Sequence, residues 1–154
     1  MTSLLKKLNF KDQSQLCILN SPPEFKSEMK KMGDFSTIIT SAGKCKEIEF
    51  ALIFVKSKPE IDAAFRSIKE KIKGDAVLWF AYPKGTSKKY KVDISRDKGW
   101  DTLGDGGFEV VRAVAIDDDW SAMRFRKAAF IAKMTRDSRF ALSKEGRAKA
   151  KARK

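Results

Sequence analysis

The residues best suited to hold an anion lie in one short loop, PKGTSKK, that follows an apolar run. Lysine ammonium groups, hydroxyls and backbone N–H groups of a glycine-containing turn can together bind a phosphate or a carboxylate. The loop lacks the glycine spacing of a Walker A motif, and solvated connections with surface lysines are a more common origin of such a composition. The candidate ligand-binding residues in this loop are Lys84, Gly85, Thr86, Ser87 and Lys88.

The ends of two other apolar runs should supply the neighbours of this loop. Asn20 and Ser21 follow the run QLCIL, and Lys56 follows the run FALIFV. In open α/β sheets, ligands bind outside the carboxyl ends of the strands, near the point where the strand order reverses. We therefore expect Asn20, Ser21 and Lys56 to line a strand-end cleft together with the basic loop.

Acid–base and metal chemistry have few candidates in this chain. It contains no histidine, which removes Ser-His-Asp and Cys-His catalysis and histidine metal ligands. Tyr82 and Tyr90 are the nearby side chains that could donate or accept a proton. Asp117, Asp118 and Asp119 could bind Mg²⁺, but aspartate is also a preferred turn residue. We predict no catalytic residue and no metal site.

Cysteine usage and hydropathy favour the cytoplasm. Cys17 and Cys45 are the only cysteines, too few for a disulfide framework or a four-ligand zinc site. Cys17 lies inside an apolar run, as a small core residue would. No apolar run approaches the roughly 18 residues of a membrane helix, and the first ten residues lack the apolar stretch of a secretory signal.

Positive charge is concentrated in the last residues. The net charge is +13, and residues 136–154 hold eight basic and two acidic side chains. Such a segment can bind nucleic acid or another polyanion independently of sequence and with strong salt dependence. A solubilising terminus that meets polyanions only incidentally would have the same composition. The candidate polyanion-binding residues are Arg147, Lys149, Lys151, Arg153 and Lys154.

Two segments with the pattern Ser-x-Pro-Glu, residues 21–24 and 57–60, predict helix starts. The serine can cap the helix, and the glutamate stands at the third helical position, as in a capping box. Asp93 is expected to cap a third, short helix. The apolar faces of the three helices are predicted to contain Phe25, Met29 and Met32; then Ile61, Phe65, Ile68 and Ile72, with Gly74 as the stop; and finally Trp100 and Leu103.

Strands are predicted at residues 15–19, 35–41, 50–55, 76–82, 108–116 and 121–126. Continuous apolar strands that alternate with capped helices are typical of a mainly parallel sheet covered on both faces. We predict a three-layer Rossmann-like α/β domain in residues 1–127, with strand order 2-1-3-4-6-5 and a C-terminal antiparallel hairpin. Residues 128–154 are predicted to form a basic extension, helical at first and then disordered.

Three segments between residues 50 and 126 form a recognisable set. They are the strand end Tyr82-Pro83-Lys84, the step Val92-Asp93-Ile94 into a short helix, and the close from Ala115 through Asp118, Trp120, Ser121 and Arg124. With these segments the chain resembles the DUF3052 family, a domain of unknown function. The resemblance implies a Rossmann-like fold and brings no assigned activity.

The same layout is similar to the second half of a Rossmann-like methyltransferase, which would imply an adenosylmethionine or dinucleotide site. Such enzymes turn on glycines after strand 1, because glycine lets the backbone approach the cofactor closely. Residues 20–23 of this chain read Asn-Ser-Pro-Pro, and prolines lack a backbone N–H. Glu47 and Glu49 come too late after strand 2 to bind a ribose. No cofactor is therefore predicted.

These features leave more than one function open. The favoured one is a small cytoplasmic α/β module, non-enzymatic, that binds an anionic partner such as nucleic acid through the basic loop and the C-terminal segment. The alternative is a degenerate methyltransferase-like protein, or another small-ligand-binding enzyme, that uses the strand-end cleft. A degenerate fold kept as a scaffold for protein interactions is a third possibility.

Overall fold

The computed structural model describes residues 2–131, in which six strands form one sheet. The strands are β1 (Gln15–Leu19), β2 (Thr37–Ile39), β3 (Ile48–Phe54), β4 (Ile72–Pro83), β5 (Phe108–Ala115) and β6 (Trp120–Lys127). The α-helices are α1 (Ser3–Lys7), α2 (Lys26–Met32), α3 (Lys58–Ile68) and α4 (Asp101–Asp105). Short 3₁₀ helices occupy Pro23–Phe25, Ala42–Lys44 and Ala128–Phe130. Within residues 2–131 no helix combines the length and hydrophobicity that crossing a bilayer requires.

The strand order is β2-β1-β3-β4-β6-β5, as predicted. The strands β2, β1, β3 and β4 are parallel to one another. The strand β6 is antiparallel to both β4 and β5, which confirms the C-terminal hairpin. Because β1 stands between β2 and β3, the strand order reverses at β1, and the carboxyl ends of β1, β3 and β4 lie side by side.

Both faces of the sheet are buried, so the domain has three layers. Alternate residues of a strand point to opposite faces: in β4, Leu78 and Phe80 belong to one apolar cluster, and Val77 and Trp79 belong to the other. The first cluster is completed by α3 and α4, through Ile61, Phe65, Ile68 and Leu103. The second is completed by the N-terminal segment and α2, through Leu4, Leu5, Leu8, Phe10, Phe25 and Met32.

The helix α1 was not predicted, although it covers a central part of the sheet. The Thr2 hydroxyl caps it by accepting the N–H of Leu5 at 3.0 Å. Leu5 and Leu8 are fully buried. The indole Nε1 of Trp79 donates to the carbonyl oxygen of Leu8 at 2.8 Å. This hydrogen bond pairs the only polar atom of a buried tryptophan side chain, so the segment is part of the core.

The helix α3 begins as predicted but ends earlier than predicted. Ser57 is its N-cap, and the Ser57 Oγ accepts the N–H of Glu60 at 3.3 Å. Ile72, expected on the buried helical face, instead begins β4 and pairs with Ile48. Gly74, expected as the helix stop, has a φ of 54° within β4, next to an irregularity in the pairing with β3. A glycine with positive φ occurs in β-bulges as well as at helix ends. The spacing of the isoleucines fits both structures, so the sequence pattern did not distinguish a helix end from a bulge.

The two other predicted caps are wrong. The first turn after β1 has Pro22 as its N-cap, with no side-chain hydrogen bond, and the Ser21 Oγ instead lies 4.0 Å from the Met29 sulfur. The helix α4 begins at Asp101, after Trp100, so Asp93 lies in the preceding loop. The predicted helix from residue 127 is replaced by the end of β6 and a 3₁₀ turn at Ala128–Phe130. The rest of the predicted extension lies outside the described residues.

Candidate functional site

The parallel topology brings four of the predicted site residues to one edge of the sheet. Asn20 and Ser21 follow β1, Lys56 lies two residues after β3, and Lys84 follows β4. The last residues of these strands are in register, since Leu19 is opposite Ile53 in the β1–β3 pair and Phe54 is opposite Ala81 in the β3–β4 pair. This strand-end edge is where ligands bind in open α/β sheets.

The chain leaves β1 through a left-handed residue. Asn20 has a φ of 58°, a conformation that asparagine tolerates better than most other non-glycine residues. Pro22 is extended, with φ −72° and ψ 159°, and the 3₁₀ turn begins at Pro23. Because neither proline has an N–H, this connection offers a ligand fewer backbone donors than a glycine-rich loop.

The basic loop after β4 is organised around a buried serine. The Ser87 Oγ donates to Asp119 Oδ1 at 2.8 Å and accepts the N–H groups of Lys89 and Tyr90 at 3.2 and 3.0 Å. Only 1% of Ser87 is exposed, whereas Gly85, Thr86 and Lys88 are exposed. The Ser87 hydroxyl therefore holds the loop in shape, and its expected role in binding a ligand stays a prediction.

A hydrogen-bonded group links this loop to the turn after β1. The Tyr90 hydroxyl donates to Glu24 Oε1 at 2.9 Å, and the Lys89 ammonium donates to Glu24 Oε2 at 3.0 Å. We call Glu24, Lys89 and Tyr90 the Glu24 bridge. The ammonium groups of Lys56 and Lys89 lie 5.7 and 5.6 Å from the centre of the Tyr90 ring, within the range of cation–π attraction.

The Glu24 bridge fixes the protonation states of its members. The hydrogen bond to Glu24, assisted by burial, raises the pKa of Tyr90. The same carboxylate raises the pKa of Lys89 through its hydrogen bond. Desolvation acts to raise the pKa of Glu24, but the hydrogen bonds from Tyr90 and Lys89 outweigh it and lower that pKa. At neutral pH the bridge thus holds a carboxylate, a neutral phenol and an ammonium ion, and the phenol is poorly suited to act as a general base.

Tyr82, the other candidate acid or base, lies on the opposite face of the sheet. Its ring contacts Trp100 at a centroid distance of 5.7 Å, and both residues belong to the cluster beneath α3 and α4. Burial raises the pKa of Tyr82. The phenol therefore stays protonated near neutral pH and does not join the Glu24 bridge.

An aromatic layer lies under the strand-end edge. Centroid distances are 4.9 Å for Phe25–Phe54, 5.1 Å for Phe54–Trp120 and 5.1 Å for Trp120–Tyr90. Trp120 is buried, and its indole Nε1 has no hydrogen-bond partner within the described part of the chain. An unpaired buried N–H costs free energy, so this atom marks a place where a ligand or a water molecule would be stabilising.

Asp117, Asp118 and Asp119 lie in the turn between β5 and β6. Asp117 Oδ1 accepts the N–H groups of Asp119 and Trp120, both at 2.8 Å. Asp119 Oδ1 accepts the hydroxyl of Ser87. Among residues 2–131 no three acidic or sulfur-containing side chains are grouped as metal ligands. The carboxylates of Asp117 and Asp119 are thus accounted for by turn and loop contacts.

A separate cavity of about 280 Å³ lies beside the first turn of α3. It does not include the predicted strand-end residues, and its lining mixes three aspartates with two lysines. The residues that line it are Lys58, Asp93, Ile94, Asp97, Lys98, Gly99 and Asp101.

Sequence reasoning missed the central residue of the strand-end group. Glu24 was assigned to a capping box, and 66 residues separate it from Tyr90, so no local pattern connects them. The predicted polyanion-binding residues of the C-terminal segment lie outside the described residues: Arg147, Lys149, Lys151, Arg153 and Lys154.

The residues at the strand-end edge do not fit adenosylmethionine. Pro22 and Pro23 stand where a glycine-rich turn would supply backbone donors. Thr40 and Ser41, not an acidic residue, follow β2. The hydrogen bond between Glu24 and Tyr90 joins the turn after β1 to the loop after β4.

Comparison with known proteins identifies the fold. An adenosylmethionine-dependent methyltransferase from Aquifex aeolicus superposes with a TM-score of 0.55 at 12% identity, covering 80% of this chain and 87% of its own. A Sulfolobus solfataricus protein described as a type 11 methyltransferase gives 0.52 at 7% identity, covering 81% and 89%. The M1A22 tRNA methyltransferase TrmK of B. subtilis gives 0.50 at 7% identity, covering 82% and 66%.

These matches show a fold and not an activity, because the sequence identities are very low. No protein-family model and no curated protein matches this sequence, so the resemblance to DUF3052 stays a prediction. The structure is a three-layer, Rossmann-like α/β domain with strand order 2-1-3-4-6-5 and a C-terminal antiparallel hairpin, and the solved structures that share this fold include methyltransferases.

Proposed function

We propose that this protein is a non-enzymatic cytoplasmic module that binds nucleic acid through lysines at the strand-end edge and through its basic C-terminal segment. The observation that carries the proposal is the grouping of cations from two loops at this edge. Lys56 and Lys89 flank the Tyr90 ring, and Lys84 and Lys88 lie in the turn that leads to it. In the described residues only Lys89 of these four has an ion-pair partner.

Lysines grouped around an aromatic ring suit a phosphodiester backbone. The ammonium groups neutralise phosphates and release counterions, which gives affinity with little dependence on base sequence. A tyrosine ring among them offers a surface on which a base can stack. The geometry thus combines the two contacts that single strands use, at the edge where this fold class binds ligands.

The chemistry of the same edge supports a binding role over a catalytic one. The Ser87 hydroxyl is engaged by Asp119, and the pKa of Tyr90 is raised by Glu24. A nucleophile needs a free hydroxyl with a nearby base, and a general base needs a pKa near the working pH. Neither condition is met by these two side chains.

The proposal is tested by a salt titration of binding to short single-stranded and duplex nucleic acid with the full-length chain. The strand-end variant is Lys56→Gln/Lys84→Gln/Lys88→Gln. Three lost phosphate contacts should lower the slope of log affinity against log salt by about 2 to 3. Neutralising Arg147, Lys149, Lys151, Arg153 and Lys154 by glutamine in the full-length chain should lower it further.

A matched variant separates a site from bulk charge. Lys44→Gln/Lys46→Gln/Lys69→Gln removes the same charge from exposed positions near the opposite, amino-terminal edge of β3 and β4. It should leave the slope within about one unit of the wild-type value. Equal losses in the two triple variants would show that only net charge matters, and the strand-end proposal would then be abandoned.

A second candidate is a small-molecule site under Tyr90, in a protein derived from the methyltransferase fold. The unpaired, buried Nε1 of Trp120 favours it, because a ligand acceptor would satisfy that donor. Its test is a calorimetric titration of the full-length protein with adenosylmethionine and with adenosine. Saturable binding that Trp120→Phe abolishes would support this candidate, whereas no heat from either compound would remove those two ligands.

A further inference from the structure

The β5–β6 hairpin places arginines beside one another on one face of the sheet. Arg112 of β5 is directly opposite Arg124 of β6. Arg124 and Arg126 alternate with the buried Phe125, so they share the face that also carries Ala122 and Trp120. Arg112 is exposed, whereas Arg124 is only partly exposed.

The arginines differ in how their charge is balanced. Arg126 binds Asp75 through two hydrogen bonds, Nη2 to Oδ2 at 2.6 Å and Nε to Oδ1 at 3.0 Å, and the bond to Asp75 raises its pKa. The Nε of Arg124 is buried without a hydrogen-bond partner in residues 2–131. Neither Arg112 nor Arg124 forms an ion pair with a described residue.

This arrangement is costly unless an anion binds to it. Like charges directly opposite on neighbouring strands are destabilising, and a desolvated cation without a partner costs more than an exposed one. Desolvation, followed by the charge of Arg126 and, to a smaller extent, that of Arg112, lowers the pKa of Arg124, while Asp75 opposes this. Both carboxylate oxygens of Asp75 already accept hydrogen bonds from Arg126.

The groups around the pair carry charges of both signs. From α1, the Lys7 ammonium donates to the carbonyl oxygen of Ala115, at the end of β5, at 3.3 Å. Along β6, Arg124 is four residues from Trp120, about 13 Å. Trp120 contacts Tyr90 at the strand-end edge, so β6 connects that edge to the arginines. Glu109 is buried opposite Arg126 and engages in contacts of its own.

We propose that Arg112 and Arg124 form a phosphate-binding site for the backbone of a nucleic acid strand that also contacts the strand-end lysines. Guanidinium groups bind phosphate through two parallel hydrogen bonds, a geometry that a lysine cannot offer. One phosphate accepting from the guanidinium groups of both arginines would offset the repulsion across the strands. The ligand class rests on the proposed function, but the site is separate from the strand-end edge.

The test is an NMR titration of the full-length protein that follows the arginine Nε–H resonances and the lysine side-chain resonances. Arg124→Gln assigns the Arg124 signal by its loss. Inorganic phosphate and then a 12-nucleotide single strand are added. We expect the strand to shift the Arg124 signal saturably, and Arg112→Gln to weaken that binding about tenfold, the usual size of one lost charged hydrogen bond. Arg66→Gln, on α3 at the opposite face, should leave the titration unchanged.

Each alternative outcome has a distinct meaning. If the strand shifts the strand-end lysine signals and leaves Arg124 unmoved, the arginine site is wrong and the proposed function survives. If phosphate shifts Arg124 but the strand does not, the site binds small anions and its nucleic acid assignment is overturned. If nothing moves, both proposals fail. Arg112 is exposed, so Arg112→Gln keeps the test available if Arg124→Gln does not fold.

Discussion

The turns that follow β1 and β3 have nearly the same sequence but different structures. Residues 21–24 read Ser-Pro-Pro-Glu, and residues 57–60 read Ser-Lys-Pro-Glu. Ser57 caps α3 by accepting the N–H of Glu60. Ser21 caps nothing, and Glu24 reaches across the sheet edge to Tyr90.

One proline accounts for the difference. The two turns differ at one position, where Pro22 stands in place of Lys58. A proline follows both residues, but Lys58 begins α3, whereas Pro22 is extended and the first helical turn begins at Pro23. Pro22 thereby becomes the N-cap, and it has no side-chain acceptor. Glu24 is then free to bind Lys89 and Tyr90. The comparison shows that a residue of a capping pattern, here Glu24, can contribute to a site instead of to the start of a helix.

The largest expected effect concerns the backbone just before the first of these turns. Asn20→Val puts a β-branched residue at a φ of 58° and should lower the free energy of unfolding by about 2 kcal/mol. Asn20→Gly should stay within about 1 kcal/mol of wild type. Lys56→Val after β3, where φ is not positive, should change stability by no more than about 0.5 kcal/mol. Urea denaturation measures all three, and equal losses for valine and glycine at Asn20 would contradict the argument.

The next effect compares the two serines directly. Ser57→Ala removes a working N-cap and should cost about 1 kcal/mol. Ser21→Ala removes a hydroxyl whose side-chain hydrogen bond within residues 2–131 is a long one to the Met29 sulfur, and it should cost less than about 0.5 kcal/mol. Denaturant midpoints of the two variants at one pH decide the matter. Matching losses would mean that Ser21 also stabilises its helix.

A smaller effect follows from making the two turns alike. Pro22→Lys gives residues 21–24 the sequence of residues 57–60, so Ser21 should become the N-cap and Glu24 should move away from Tyr90. The gain of a cap and the loss of a proline offset each other to within about 1 kcal/mol. The pKa of Tyr90, which Glu24 raises, should fall in an absorbance titration.

The chain contains its own reference for that titration. Tyr82 is the other tyrosine, and burial raises its pKa. Its titration should be the same in wild type and Pro22→Lys. A joint change of both tyrosines would indicate general loosening of the fold, and an unchanged Tyr90 would show that Pro22 does not control Glu24.

The smallest effect is the pH dependence that Glu24 adds. Its folded-state pKa is lowered from the ordinary value of 4.5 because the hydrogen bonds from Tyr90 and Lys89 outweigh desolvation. The stability that Glu24 contributes is thus present above about pH 4.5 and is lost as the pH falls through the folded-state pKa. Wild type should lose slightly more stability than Glu24→Gln between pH 6 and pH 3. If the urea midpoints of wild type and Glu24→Gln change by the same amount across that range, the Glu24 bridge contributes nothing to the pH dependence of stability.

Sequence patterns predicted the sheet well because its information is local. The apolar runs of β3 and β4 mark strands buried on both faces, and the capping residues of α3 mark a crossover helix. The strand order was predicted from the general layout of such α/β folds, and the structure confirms it. The edge that gathers Asn20, Lys56 and Lys84 follows from that order alone. The ends of helices and strands were harder to predict, because Ile72 fits the apolar pattern of a helix and that of a strand equally well.

The contacts within the site depend on residues far apart in the chain. Ser87 and Asp119 are 32 residues apart, and Glu24 and Tyr90 are 66 apart. The meeting of Arg112 and Arg124 depends on a register shift in the hairpin, which moves side chains relative to their partners and leaves no mark in hydropathy. Such pairings require the assembled sheet.

The hydrogen bond from Trp79 to Leu8 has a consequence for the order in which parts of the chain fold during synthesis. The two residues are 71 positions apart, and the surface that receives α1 includes β4. A ribosome releases the N-terminal end first, so Leu4, Leu5 and Leu8 leave it before their docking surface has been made. These leucines therefore stay exposed to water until β4 has been made. Their burial is a late step that forms long-range contacts, of the kind that slows folding.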